Sequence, residues 1–305
     1  MFRLAIKVDV DTDRGTRDGV LPLARLLLQH QVPAVFLFSL GPDNMGKSVY
    51  RVFQPGFVKK VMRTRVVNQL GARSLLNGTL FPAPHLGRRH GAAMREVRDM
   101  GFETGIHCHD HYRWQNHVRR MSLEQTREEF CKAVAEFDRI FSAPPETAGA
   151  PGWQCTAHSL QVYDEFKLAY ASDTRGATPF LPCLGARVFA TPQLPTTLPT
   201  LDELLGRPEF PEERLLDHYL ALLTAESRDH VMTIHAELEG LHYLTFLQNL
   251  LERARQAGVV FYSLREEARR LEQIGLGRLP LCEIRMAEVD GRAGTLATQV
   301  PSDKT

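Results

Sequence analysis

The sequence predicts an α/β protein built on a parallel sheet closed into a single barrel. Three observations predict it. Apolar runs of strand length alternate with amphipathic helical patterns along most of the chain, the order that yields parallel strands joined by crossover helices. Seven or so such units fit into about 265 residues, which favours one barrel over two domains. Three separated apolar runs end in groups that bind a metal or move a proton: Asp9-Val10-Asp11, His107-Cys108-His109-Asp110-His111 and Ile234-His235. In such barrels reactive groups stand at the carboxyl ends of the strands.

The elements follow in order. Residues 3–10 read as a buried strand, and 19–30 as a helix with leucines at 21, 23, 26, 27 and 28. Residues 32–40 form a second buried strand. Residues 94–100 end a helix, 102–106 make a strand, and 123–141 an amphipathic helix with Ser122 as its N-cap. Short strands are expected at 147–150 and 168–172, with a helix over 157–166 between them. A helix over 211–225, a strand over 230–235, a helix over 241–256 and a strand over 259–262 complete the alternation. From 275 onward periodicity fades, so the barrel is placed at 1–272 and residues 273–305 are read as a poorly ordered tail.

The composition is that of an ordinary globular protein, with 43% apolar and 24% charged residues. A net charge of +1 gives no global attraction to polyanions, which argues against nucleic acid as a partner. Five scattered cysteines without a CxxC argue for a reducing compartment rather than a disulfide framework. The first residues lead straight into an acidic motif with no signal-peptide core. No apolar run reaches the roughly 20 residues that span a bilayer. The expected location is the cytoplasm, at most on a membrane surface.

Asp9 and Asp11 lie two apart on a strand and so share a face. Buried unpaired carboxylates are costly. A cation would neutralise one, leaving the other to accept a proton from water. Loop caps, or partners for Arg14 and Arg17, are the plainer alternative. His107 and His111 are four apart, a spacing that on a helical turn aims two imidazoles at one ion. His109 and Asp110 between them would orient the pair or wall the site. His235 ends an apolar strand, with Glu237 and Glu239 close behind.

Residues 44–95 contain no Asp or Glu, where the chain's average would place about six. Lys47, Arg51, Lys59, Lys60, Arg63 and Arg65 are interleaved there with Val49, Tyr50, Phe53, Phe57, Val58 and Met62. An apolar stripe flanked by cations suits an anionic membrane surface or a lipid phosphate. A solvated basic helix packed on the barrel would show the same pattern.

These motifs resemble the polysaccharide deacetylase (NodB-like) family of metal-dependent amidohydrolases. The resemblance implies a distorted (β/α)7 barrel and one divalent ion held by Asp11, His107 and His111. It makes Asp9 the general base and His235 the general acid. Zn, Mn or Co, and Fe as well, suit mixed Asp/His ligation. Four blocks look closer to one branch: residues 6–17, 38–46, 172–177 and 233–237. That branch removes the formyl group from undecaprenyl-phosphate-linked 4-deoxy-4-formamido-L-arabinose, a step towards aminoarabinose on lipid A and polymyxin resistance. It implies a peripheral enzyme on the cytoplasmic face of the inner membrane, with no obligate protein partner.

The chain departs from the wider family in its third motif, which reads Ala148-Gly149-Ala150-Pro151-Gly152-Trp153 and lacks the usual Arg. Arg175, beside Asp173, is the expected substitute for that positive charge near Asp9, and Trp153 the expected wall of the sugar pocket. Thr233 and Ala236 replace the usual Leu and Asp around the late histidine, which favours a specialised substrate over a polymer. Two alternatives use the same residues: an N-deacetylase of another amino sugar, and a non-catalytic binder of lipid phosphate. Pure binding needs neither Asp9 nor His235.

Overall fold

The computed structural model describes residues 2–47, 76–225 and 228–301. In chain order its strands are β1 (Phe2–Val10), β2 (Ala34–Ser39), β3 (Glu103–Cys108), β4 (Thr147–Ala148), β5 (Tyr170–Ala171), β6 (Leu181–Leu184), β7 (Arg187–Val188), β8 (Asp229–His235), β9 (Val259–Phe261), β10 (Leu281–Glu288) and β11 (Thr295–Pro301). A curled parallel sheet runs β5-β4-β3-β2-β1-β8, with β9 also pairing β1. The extended segment 192–198 bridges the two ends. Leu194 N–H donates to Ala171 O and Thr197 N–H to Val231 O, so a distorted barrel closes without a regular strand at that place.

Strands buried on both faces explain the near-continuous apolar runs. On β1 the alternation is clear. Leu4, Ile6, Val8 and Val10 pack outward with Phe36, Phe38, Met232 and Ile234 under the helices. Ala5 turns inward with Val35, Leu37, Tyr170 and Val231. The period of two then places Lys7 and Asp9 on the inner face.

The helices are α1 (Val20–Gln29), α2 (Leu86–Asp99), α3 (His111–His117), α4 (Leu123–Phe141), α5 (Ala157–Phe166), α6 (Leu201–Leu204), α7 (Leu215–Ala225), α8 (Leu244–Gln256) and α9 (Leu264–Ile274). α4 begins as expected. Ser122 Oγ accepts from Gln125 N–H, and the Gln125 side chain accepts from Ser122 N–H. This reciprocal cap satisfies two orphan donors.

The expected disordered tail is a correction. β10 and β11 form an antiparallel hairpin, and a second sheet runs β11-β10-β6-β7. Its strands are only half buried, with Glu283 and Arg285 paired on the outer face, so the sequence shows no apolar run there. The hairpin is nonetheless tied to the barrel. Arg175 N–H donates to Ala297 O at 2.9 Å, and Gln299 N–H to Arg175 O at 2.8 Å.

Candidate active site

β1 and β8 run in register, so Asp9 lies directly beside His235 at the carboxyl end of the sheet. Asp11 follows one residue beyond the end of β1. The third element is an irregularity. Phe38 pairs with Ile106 and Ser39 with Cys108, so His107 is an extra residue in β3. A bulge of this kind re-aims a side chain, and here it brings His107 Nε2 to 3.1 Å from Asp11 Oδ1. His111 opens α3 and brings its Nε2 to 3.5 Å from Asp11 Oδ2. The two imidazoles converge with ring centroids 5.3 Å apart. They do so from a strand end and a helix start, not from one helical turn as the spacing suggested.

Ligand atoms of Asp11, His107 and His111 all lie within 4.8 Å of one another. The donor set fits a divalent ion on two further counts. His107 Nδ1 lies 2.6 Å from Gly149 O. A carbonyl only accepts, so Nδ1 carries a hydrogen and Nε2 is the nitrogen left facing Asp11, the one that would ligate an ion. Asp11 Oδ1 is buried without a hydrogen-bond donor. Burial alone would raise the Asp11 carboxyl, but His111 and His107 outweigh it and hold it well below the usual carboxylate range. Burial alone would lower His107, and Asp9 and Asp11 reverse the direction.

Asp110 caps α3 by accepting from Arg113 N–H at 2.9 Å, and accepts from Asn44 Nδ2 at 2.6 Å. His109 points elsewhere, towards His85 and Glu129. It is not part of the cluster.

The cation beside Asp9 is Lys7, which the sequence reading missed. Its Nζ lies 3.6 Å from Asp9 Oδ2 and donates to Ser172 O at 3.1 Å. Burial pushes the Lys7 ammonium down, while Asp9 and Asp173 hold it up in part. Arg175 does not fill that place. Its guanidinium bonds Glu203 Oε1 at 2.7 Å and Leu198 O at 2.8 Å. Asp173 accepts from Ala150 N–H and from Gln193 Nε2, and so fixes the Ala150 turn. Burial raises its carboxyl to about 6.

Trp153 is not an open wall: it is 2% exposed, and its indole N–H donates to Thr196 Oγ1 at 3.1 Å. Lys7, Arg175 and Arg292 all lie against its ring, at 5.2, 5.3 and 4.5 Å from the centroid.

Glu237 supports the loop that carries Asp11. Its Oε1 accepts from Asp11 N–H at 2.9 Å, Thr12 N–H at 2.8 Å and Thr12 Oγ1 at 2.9 Å. Burial, with Asp11 nearby, raises the Glu237 carboxyl to about 7. Glu239, also raised to about 7 by burial, accepts from His235 N–H at 2.8 Å. Burial would lower the His235 ring; Asp11 and Asp202 turn the shift upward.

Of the proposed lipid-phosphate residues, Arg51, Lys59, Lys60, Arg63 and Arg65 lie outside the described residues. Lys47 is half-buried on a short turn after Asn44. Farther along the basic segment, Arg89 stands 3.3 Å from Asp13.

No family model matches the chain. Over 297 residues it is 34% identical to a protein of Shewanella sediminis described as a probable 4-deoxy-4-formamido-L-arabinose-phosphoundecaprenol deformylase, covering 97% of this chain and 94% of that one. A protein of Wigglesworthia glossinidia brevipalpis with the same description is 28% identical over 288 residues, covering 93% and 98%. Among solved structures, a protein from Mycobacterium smegmatis described as a putative polysaccharide deacetylase superposes with a TM-score of 0.63 at 16% identity, covering 94% of each chain. At that identity the likeness shows the fold alone.

Proposed function

The chain belongs to the family of 4-deoxy-4-formamido-L-arabinose-phosphoundecaprenol deformylases, and we propose that it hydrolyses the formamide of that lipid-linked sugar to a free amine and formate. The observation that carries the reading is the convergence of Asp11, His107 and His111 beside Asp9 and His235. A binding protein would need the first three at most.

Asp11, His107 and His111 would hold a divalent ion. When bound, such an ion polarises the amide carbonyl and acidifies a water. The chain's own groups do the rest. Asp9, in its carboxylate form, takes a proton from the attacking water. Lys7, 3.6 Å from Asp9 Oδ2, holds that carboxylate in place inside the barrel. His235, on the adjacent strand tip, delivers a proton to the departing sugar nitrogen. Glu237 anchors the backbone of Asp11 and Thr12, so the ligand carboxylate stays in place while charge moves around it.

The carrier of the proposed substrate is a polyprenyl phosphate, which supports work at a membrane surface on the cytoplasmic face. No helix among the described residues is long and apolar enough to cross a membrane. Leu80 and Phe81 project from the turn that follows residue 75, at 77% and 47% exposure. With the basic segment they would suit the edge of an anionic bilayer.

Formate release from the formamido-sugar lipid, with and without chelator, tests the reading. Formate that disappears with chelator and returns with added divalent ion is the expected result. Acetate from an acetamido analogue, with no formate from the formamide, would overturn it in favour of an N-deacetylase.

A further inference from the structure

The C-terminal hairpin holds a residue that the reaction proposed above leaves unused. Between β10 and β11 the chain turns through Gly291, whose φ is +80°. A Cβ there would stand 2.4 Å from Glu203 O, so the turn sits directly on α6. The next residue, Arg292, spreads its guanidinium over the same short helix. Its Nε bonds Glu203 Oε1 at 2.8 Å, its Nη1 is 3.3 Å from Asp202 Oδ2, and its Nη2 donates to Thr200 Oγ1 at 3.2 Å. Glu203 Oε1 also accepts from Arg175, whose backbone is paired to β11. One carboxylate oxygen thus joins two arginines from distant parts of the chain.

Such an arrangement is weak ground for stability alone, because desolvation offsets most of what a buried ion pair gains. Its geometry points inward. The Arg292 guanidinium lies 4.5 Å from the centre of the Trp153 ring, and Lys7 Nζ lies 5.2 Å from the same centre. Lys7 is the partner of Asp9. The indole N–H continues through Thr196 Oγ1 to Thr233 Oγ1 at 2.7 Å, on the strand that ends in His235. Trp153 is itself held at a φ of +52°, a conformation that a bulky residue keeps only when its surroundings enforce it.

We propose that the hairpin is a working part of the active site and that Arg292 is a positioning residue. Clamped on Asp202 and Glu203, Arg292 seats the Trp153 ring, which in turn sets the Lys7–Asp9 pair and the strand carrying His235. The inference rests on the deformylase reading, since it concerns the placement of the base and acid of that reaction. Arg292 touches no reacting atom and lies outside the Asp11–His107–His111 cluster, so its loss acts on turnover rather than on loading of the site.

The test uses the full-length protein and its Arg292→Ala and Arg292→Lys variants in the formate-release assay. Arg292→Ala is expected to lower kcat on the order of 10- to 100-fold, as small misplacements of catalytic groups do. KM should stay within about twofold and bound metal per chain should be unchanged. Arg292→Lys, which keeps a cation over the ring, should recover most of kcat. The emission of Trp153, isolated in a Trp114→Phe background, should shift in Arg292→Ala and return in Arg292→Lys. Arg292→Gln replaces the alanine variant, with the same thresholds, if that one does not fold. A kcat within twofold of wild type overturns the proposal. So does a loss of kcat that lysine does not restore while the Trp153 emission stays put. Wild-type protein that releases no formate overturns the reaction itself, and the positioning role with it.

Discussion

Lys7 Nζ stands 3.6 Å from Asp9 Oδ2, with the lysine fully enclosed and the aspartate side chain only 5% exposed. A cation enclosed among Asp9, Asp173 and the Ser172 carbonyl is there to offset buried negative charge. Replacing it with a neutral group of similar length leaves the carboxylates unpaired, which costs about 3–5 kcal/mol in a buried setting. Lys7→Met should therefore lose most turnover and lower the thermal midpoint. The double variant Lys7→Met/Asp9→Asn, which removes both charges, should be more stable than Lys7→Met alone. Thermal unfolding of the three proteins checks this, and a double variant less stable than the single one would count against the pairing.

Metal loading and turnover should separate along the line between the two aspartates. Asp11 shares the cluster with His107 and His111, whereas Asp9 faces Lys7 and His235. Asp11→Asn and His107→Ala should lose bound metal and formate release together. Asp9→Asn should keep its metal and lose formate release by a factor on the order of 10² or more. Elemental analysis of the purified variants beside the activity assay reads both quantities. An Asp9→Asn protein with full activity would remove the base from the mechanism.

Glu237 holds the ligand loop through three hydrogen bonds to one carboxylate oxygen. Glu237→Ala frees the Asp11 and Thr12 amides, and outer partners of metal ligands are typically worth about 10- to 100-fold in affinity. The expected outcome is a weaker metal dissociation constant by that factor, with activity restored at high metal concentration. Gly15→Ala should act in the same direction, since its Cβ would overlap the Glu237 carboxylate. Calorimetric titration of metal into the apo proteins measures the change.

The parts of the site that lie at strand ends were readable from the chain, because a charged group closing an apolar run has few structural uses. Asp9, Asp11, His107 and His235 fall in this class, and His111, at a helix start, was found by its spacing of four from His107. The geometry that joins them was not readable. His107 is aimed by a bulge that depends on how β2 and β3 align, and spacing along one strand carries no information about its neighbour. Lys7 left a signal that went unused: it lies two residues before Asp9 in an apolar strand and therefore on the same inner face. Arg175 drew attention by its place beside Asp173, but its guanidinium turns to Glu203. The hairpin at 281–301 was lost because its half-buried strands pair charged residues outward and bury only Cys282, Leu296 and Ala297 well. Arg292 was lost with it.

Away from the site, Glu103 should make stability depend on pH. It opens β3 at the opposite end of the strand from His107, it is buried, and Arg265 Nε is 3.5 Å away. Burial outweighs that partner and raises the carboxyl from its ordinary 4.5 to about 7. The folded state then keeps a proton that the unfolded chain releases above pH 4.5. The contribution of Glu103 to stability is complete below pH 4.5, falls as pH rises towards 7, and is flat beyond. A shift of this size corresponds to about 3 kcal/mol across the window. Glu103→Gln keeps the shape and removes the titration, so its unfolding free energy should fall less than that of wild type between pH 5 and pH 8. Denaturant titrations at those two pH values compare the slopes directly, and parallel slopes would show that the Glu103 carboxyl ionises in the folded protein as it does in the unfolded chain.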